Sequence, residues 1–428
     1  MTRLNHNHPI ALLLLLALLV VSCAPAVSEE PAAATPPAAE TPAVTPPDPE
    51  PGETATERTQ AAPTATAALQ PAPTFLPEED APPGLTRSFT TDFSKRTISF
   101  DDILSGGPPK DGIPAVDNPV FISVSEAEEW IEDLEPVLVF QESDETRIYP
   151  YQILTWHEIV NDEIGGRPLT ITFCPLCNTA IVFDATVDGN ALDFGTTGRL
   201  RFSNLLMYDR QTESWWQQAT GEAVIGEYTG VRLTILPASI ISWVEARAAY
   251  PEAQVLSRQT GHDRPYGRNP YAGYDNVNAS PFLYEGPLSP DQLPPMTRVT
   301  TVELNGEAVA YPEETLQEIG VANDTVGGLD IVIFWQEGLA SALDASDIAA
   351  GRDVGATAVF ERELDGQTLT FTVAGGEIVD EQTGSAWTIL GEAVSGELAG
   401  EQLEPVAKVD HFWFSWAAFR PDTRIYQP

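Results

Sequence analysis

The chain has 428 residues, and its 63 acidic against 22 basic side chains give a formal net charge of −41. That balance excludes nucleic acid and anionic lipid headgroups as partners, because both are held by positive surfaces, and it makes a cationic ligand the easier one. With three cysteines and three methionines in all, any metal site must be drawn from very few soft ligands or from carboxylates.

At the start of the chain, Arg3 and the apolar run Ile10 to Val21 lead into Val20-Val21-Ser22-Cys23. The run is shorter than the roughly 20 residues that cross a bilayer and it ends at a cysteine. Residues 1–22 therefore read as a lipoprotein signal peptide, and Cys23 as the lipidated first residue of the mature protein. Acyl chains on Cys23 imply a membrane-anchored protein of the cell envelope, outside the cytoplasm, whose partners are that membrane and a metal ion or another envelope protein. Residues 23–88 are rich in Pro, Ala and Thr and poor in large apolar side chains. Such sequence buries too little surface to offset its ordering entropy, and it reads as a disordered, extended tether.

The remainder is long enough for two ordinary domains. Ser125-x-x-Glu128 predicts a capping-box helix start, Val137 to Phe140 a strand, and Pro150 to His157 a short helix ending in Trp156-His157. Leu169 to Asp184 then sets Cys174-Pro-Leu-Cys177 between two alternating runs, Ile171/Phe173 and Ile181/Phe183, so both sulfurs are expected on a loop joining strands. A thioredoxin-like enzyme needs a helix at its first cysteine to lower the thiol pKa, and strand follows here instead. Further strands are expected near 192–194, 201–208 and 231–236, and Ser239 to Tyr250 reads as an amphipathic helix stopped by Pro251. The stretch Thr260 to Tyr274, which carries His262, is too long and too aromatic for a plain connector.

Beyond this point the chain repeats itself. Tyr149-Pro150, Asn161-Asp162 and Gly165-Gly166 recur as Tyr311-Pro312, Asn323-Asp324 and Gly327-Gly328. Asp209-Arg-Gln-Thr212, Trp216 and Gly221-Glu-Ala-Val224 recur as Asp380-Glu-Gln-Thr383, Trp387 and Gly391-Glu-Ala-Val394, and Trp243 as Trp413. One order at nearly constant spacing implies an internal duplication. The expected fold is α+β and β-rich, two tandem copies of a barrel- or sandwich-like domain decorated with short helices: residues 89–298 with the cysteines, and residues 299–428 as a degenerate copy. Opposite the cysteines the second copy has Trp335-Gln-Glu-Gly338 or its immediate neighbours, and opposite Trp156-His157 it has Glu318-Ile319, so the scaffold recurs without its soft ligands.

The words Tyr149-Pro150, Trp156-His-Glu-Ile-Val-Asn-Asp162, Phe173-Cys-Pro-Leu-Cys177 and Ser203-Asn-Leu-Leu-Met-Tyr-Asp-Arg-Gln-Thr-Glu-Ser214 resemble the bacterial and archaeal domain of unknown function 3179. The resemblance is strong over roughly Phe121 to Pro281 and weak in the second copy. It implies an extracytoplasmic protein and supplies no agreed activity.

A lone Cys-x-x-Cys lacks the second pair that structural zinc usually needs. Thiolate, imidazole and thioether together suit copper before zinc, and they predict a site of Cys174 and Cys177 with His157 as third ligand and Met207 and His262 nearby. Taken singly, Met207 also reads as core filler and His157 as a helix cap. Two alternatives stand beside the metal: a thiol–disulfide redox pair, and a binding or structural module with a permanent disulfide. Trp216, repeated as Trp387, reads as core, and Trp215 as a possible stacking surface. No hydrolytic or nucleotide-binding motif is present.

Overall fold

The computed structural model describes residues 73–287 and 292–428; the signal peptide, Cys23 and most of the tether lie outside them. Folded chain begins before the expected residue 89. Leu76 donates its backbone N–H to the Arg96 carbonyl at 2.9 Å, and Leu85, on a short helix at Pro83–Thr86, is buried with Phe93, Phe100 and Trp215. Leu85, with Ala81 packed beside it, is what docks the end of the tether, while Phe75 stays exposed.

The protein is β-rich and mixed, built from open sheets with a few short helices. In the first half, β1 (Pro136–Glu142), β2 (Glu145–Pro150), α1 (Tyr151–His157), β3 (Ile159–Ile164), β4 (Arg167–Cys174) and β5 (Thr179–Asp184) are followed by β6 (Phe194–Arg201), β7 (Asn204–Asp209), β8 (Trp215–Gln217) and β9 (Glu222–Ile225). The half closes with β10 (Ser239–Ser242), α2 (Trp243–Ala249) and β11 (Gln254–Leu256). The second half runs β12 (Arg298–Leu304), β13 (Glu307–Pro312), α3 (Glu313–Ile319), β14 (Val321–Val326), β15 (Leu329–Gln336), β16 (Ala356–Glu361), β17 (Phe371–Ala374), β18 (Glu377–Asp380), β19 (Ala386–Trp387), β20 (Ala393–Ser395), β21 (Val409–Phe412), α4 (Trp413–Ala417) and β22 (Arg424–Ile425).

Register as well as order recurs. The sheet β10-β1-β2-β11 of the first half has its counterpart in β21-β12-β13-β22, with Arg147 opposite Gln254 in parallel in one and Val309 opposite Arg424 in the other. Tyr149 donates its hydroxyl to Asp162 at 2.6 Å, and Tyr311 donates to Asp324 at 2.7 Å. Trp216 Nε1 reaches Asp209 at 2.9 Å, and Trp387 Nε1 reaches Asp380 at 3.1 Å. One apolar cluster, with Ile171, Phe173, Val332, Phe334 and Phe414 among its members, runs through both halves. Across that core β10 of the first half meets β16 of the second, while β21 of the second meets β5 of the first.

Three local expectations are corrected. The capping box is Ser123 with Glu126, ahead of a short helix at Val124–Ala127, because Ser123 is the residue in extended backbone whose hydroxyl can accept the Glu126 N–H. Residues 239–242 form a strand before the helix, since β-branched Ile240 and Ile241 pair with Leu138 and Val137 and the helix starts only at Trp243. Trp215 is fully buried, with the rings of Phe89 and Phe93 edge-on at 4.9 and 5.4 Å, and offers no stacking surface. No helix among the described residues is long and apolar enough to cross a membrane.

Candidate functional site

Strands β4 and β5 form an antiparallel hairpin whose ends, Cys174 and Thr179, pair with each other. The three residues Pro175–Cys177 make a 3-10 turn between them, and Asn178 closes it in left-handed backbone. The turn folds one cysteine back on the other, so their Sγ atoms lie 2.6 Å apart. Both are buried, and the pair sits in a cluster with Met207, Phe183, Phe194 and Trp216.

Three further segments close over the sulfurs. The β6–β7 hairpin turns through Phe202 and Ser203 at φ 50° and 60°, and the Ser203 carbonyl accepts from Cys177 Sγ at 3.4 Å. From the second half come His411, on β21, and Ser415, on α4. His411 Nδ1 lies 2.8 Å from Thr179 Oγ1 and 3.3 Å from Ser415 Oγ, and Ser415 donates to Asn204 Oδ1 at 2.6 Å. The chain from Tyr266 to Tyr284 packs against the shared core through Tyr271 and Tyr274.

The chamber is buried, and its electrostatics follow from that. Burial pushes the Cys177 thiol well up, and the neighbouring Cys174 adds to the shift. Burial lowers His411 to about 3, so it stays a neutral imidazole. Glu158, directly after α1, is raised to about 8 by burial alone. Its backbone is left-handed at φ 59°, where the second half has Gly320 at φ 72°. Ser203 Oγ, Gln217 Oε1, Gln218 Oε1 and His411 Nε2 are buried with no hydrogen-bond partner among the described residues. Left-handed non-glycine residues and unpaired polar atoms are each destabilising, and such features gather at working sites.

The expected site residues separate into two groups. Met207 shares the apolar cluster of Cys174 and Cys177, paired with Trp216 on the next strand. His157 lies in another network: its Nδ1–H donates to the Pro114 carbonyl at 2.7 Å, and its Nε2 accepts from the Tyr266 hydroxyl at 2.7 Å. His262 stacks beside it with ring centroids 5.5 Å apart. With both ring nitrogens engaged and burial holding its pKa near 4, His157 is a structural linker to the 260s loop. Among the described residues no three His, Cys, Asp or Glu side chains converge as a metal ion requires. His411 entered sequence reasoning only as one of few histidines and Asn204 only in a polar cluster with Arg199, Arg201 and Arg210, while Ser415 and Glu158 were missed. For the last the available signal was a charged residue where the duplicate has glycine.

A family model described as Protein of unknown function (DUF3179) matches residues 110–423 and so spans both halves. No curated protein and no solved structure matches the chain.

Proposed function

The chain belongs to the DUF3179 family of proteins of unknown function, and we propose that Cys174 and Cys177 are its working centre, a dithiol–disulfide couple. The protein carrying it is a lipoprotein held at the envelope through Cys23. The observation that carries this reading is the enclosure of two adjacent sulfurs by strained backbone and unpaired polar groups, with no third His, Cys, Asp or Glu among the described residues placed to hold a metal ion with them. A staple across two intervening residues closes too short a loop to explain those costs. In the reaction an acceptor disulfide takes two electrons and leaves as two thiols. The Cys174–Cys177 bond forms, and both cysteine protons pass to the departing sulfurs. His411, neutral at any ordinary pH, holds Thr179 and Ser415 in place beside Cys177.

A second reading, a soft ion bound by Cys174 and Cys177 with copper before zinc, is favoured by Met207 standing in the same cluster. One preparation separates the two. Membranes from expressing cells are quenched with an alkylating agent in denaturant, and the protein is analysed by mass for label at residues 174 and 177 and for lipid at residue 23. A redox couple gives label that rises and falls with an applied thiol–disulfide buffer in two-electron steps, in protein free of stoichiometric copper or zinc. Label independent of the buffer refutes the redox reading, a tight Cu(I) complex lost in Cys174→Ser establishes the metal reading, and an unmodified Cys23 removes the anchor.

A further inference from the structure

The position in the second half that corresponds to the dithiol is an open groove. By strand register Gln336 stands where the first half has Cys174, Gly320 where it has Glu158, and Trp387, paired with Ile378, where it has Trp216 paired with Met207. In the first half this place is filled and closed by Ser415 at the third position of α4. In the second half the third position of α2 is Glu245, which accepts from Ser242 Oγ at 3.0 Å and from Gln336 Nε2. What remains is a cavity of about 1000 Å³, at the upper end of the ~300–1,000 Å³ typical of small-molecule sites.

Its walls have a definite chemistry. Trp335 lies flat on Gly355, where a Cβ would stand 2.3 Å from the indole, so glycine there is what lets the ring take this pose. Trp335 Nε1 is buried with no partner among the described residues. Val373 and Val394, 43% and 57% exposed, add apolar surface that nothing in the described chain covers. Five carboxylates line the groove: Glu245, Glu318, Glu337, Glu377 and Glu392. No Lys, Arg or His lines it, and none of the five is paired with a basic side chain among the described residues. No three of them converge as a metal ion requires.

We propose that this groove binds a small organic cation, an ammonium head on a flat apolar body, with Trp335 as the stacking wall and Glu377 and Glu392 as the charge partners. An indole face attracts a cation through its quadrupole, and two carboxylates on the rim of the groove add a field that salt partly screens. The apolar body covers the exposed valines. A bare metal ion would leave the indole and the valines uncovered, and a neutral ligand would leave the carboxylates unmatched.

The test uses the full folded chain and benzyltrimethylammonium as probe, read by tryptophan fluorescence and calorimetry, with uncharged neopentylbenzene as control. Saturable binding of the cation alone is expected, weakened about tenfold or more in Glu377→Gln/Glu392→Gln and abolished in Trp335→Ala. The two glutamates are exposed, so the double variant keeps its fold, and its thermal unfolding verifies this. Binding to the Cys174→Ser chain should be unchanged, which separates this site from the dithiol. Equal binding of the neutral control, or undiminished binding by the double variant, overturns the proposal. So does a lysine-rich peptide that binds while the small cation does not, which would assign the groove to a protein partner.

Discussion

At position 158 a carboxylate is held in left-handed backbone and out of water, two unfavourable choices at one residue. The folded pKa near 8 stands above the ordinary 4.5. Below pH 4.5 the group is protonated in both folded and unfolded chains and has no effect. As pH rises from there to 8 the unfolded chain gains an ionised, hydrated carboxylate that the folded chain cannot match, and the fold is progressively weakened. Glu158→Gly, which copies the second half, is therefore expected to stabilise the protein at pH 7 by on the order of 4 kcal/mol. Denaturant titration should show that gain shrinking to the backbone contribution alone, about 1 kcal/mol, below pH 4.5. A gain that did not depend on pH would mean the carboxylate is hydrated after all. His411 shows the limit of reading single residues. It stands where the first half has Ile241, and its neighbours Thr179 and Ser415 are 232 and 4 positions away, so only the assembled core reveals it.

Among the elements, the segment after β11 has one of its anchors in a buried carboxylate. Asp275 accepts from Arg298 Nη2 at 2.7 Å, from Arg352 Nη2 at 2.8 Å and from the Ser341 hydroxyl at 2.5 Å. Burial would raise its pKa, but Arg298, Ser341 and Arg352 outweigh that and hold it down to about 2. Its contribution is thus complete above the ordinary value of 3.8 and is lost as pH falls from there through 2. Asp275→Asn leaves Arg298 buried with Glu313, 4.0 Å away, as its remaining ion-pair partner, and a loss of about 3 kcal/mol is expected at pH 7. The difference from wild type should close toward pH 2 in an acid titration of stability, and a constant difference would place the effect in packing instead. The hairpin of β4 and β5 was legible, because alternating apolar runs around a Pro-containing turn have one good solution. The strand at 239–242 was not, since an apolar run that passes directly into a helix carries no boundary in its periodicity.

For the whole molecule, the repeat of words along the chain announced two similar halves, and their hydrogen bonds recur residue for residue. Reciprocity lay beyond sequence pattern: each half lays a strand against the other's sheet, the helix after it closes the site in the first half and leaves a groove in the second, and one apolar cluster joins them. Periodicity reports which residues are buried but not which copy buries them.

The lid over the sulfurs also carries a sense of time. Residues 409–417 leave the ribosome more than two hundred positions after Cys177, so the thiols meet their surroundings before the chamber shuts. Their oxidation state is then recorded at the moment of closure and kept while the core stays closed. Refolding the same chain with and without oxidant should yield two long-lived populations, distinguishable by mass after alkylation. Their interconversion at neutral pH should reach an end point set by the thiol–disulfide buffer, at a rate that levels off at the rate of core opening as thiol is added. Exchange that scaled linearly with added thiol would show that the sulfurs are reached from outside without opening.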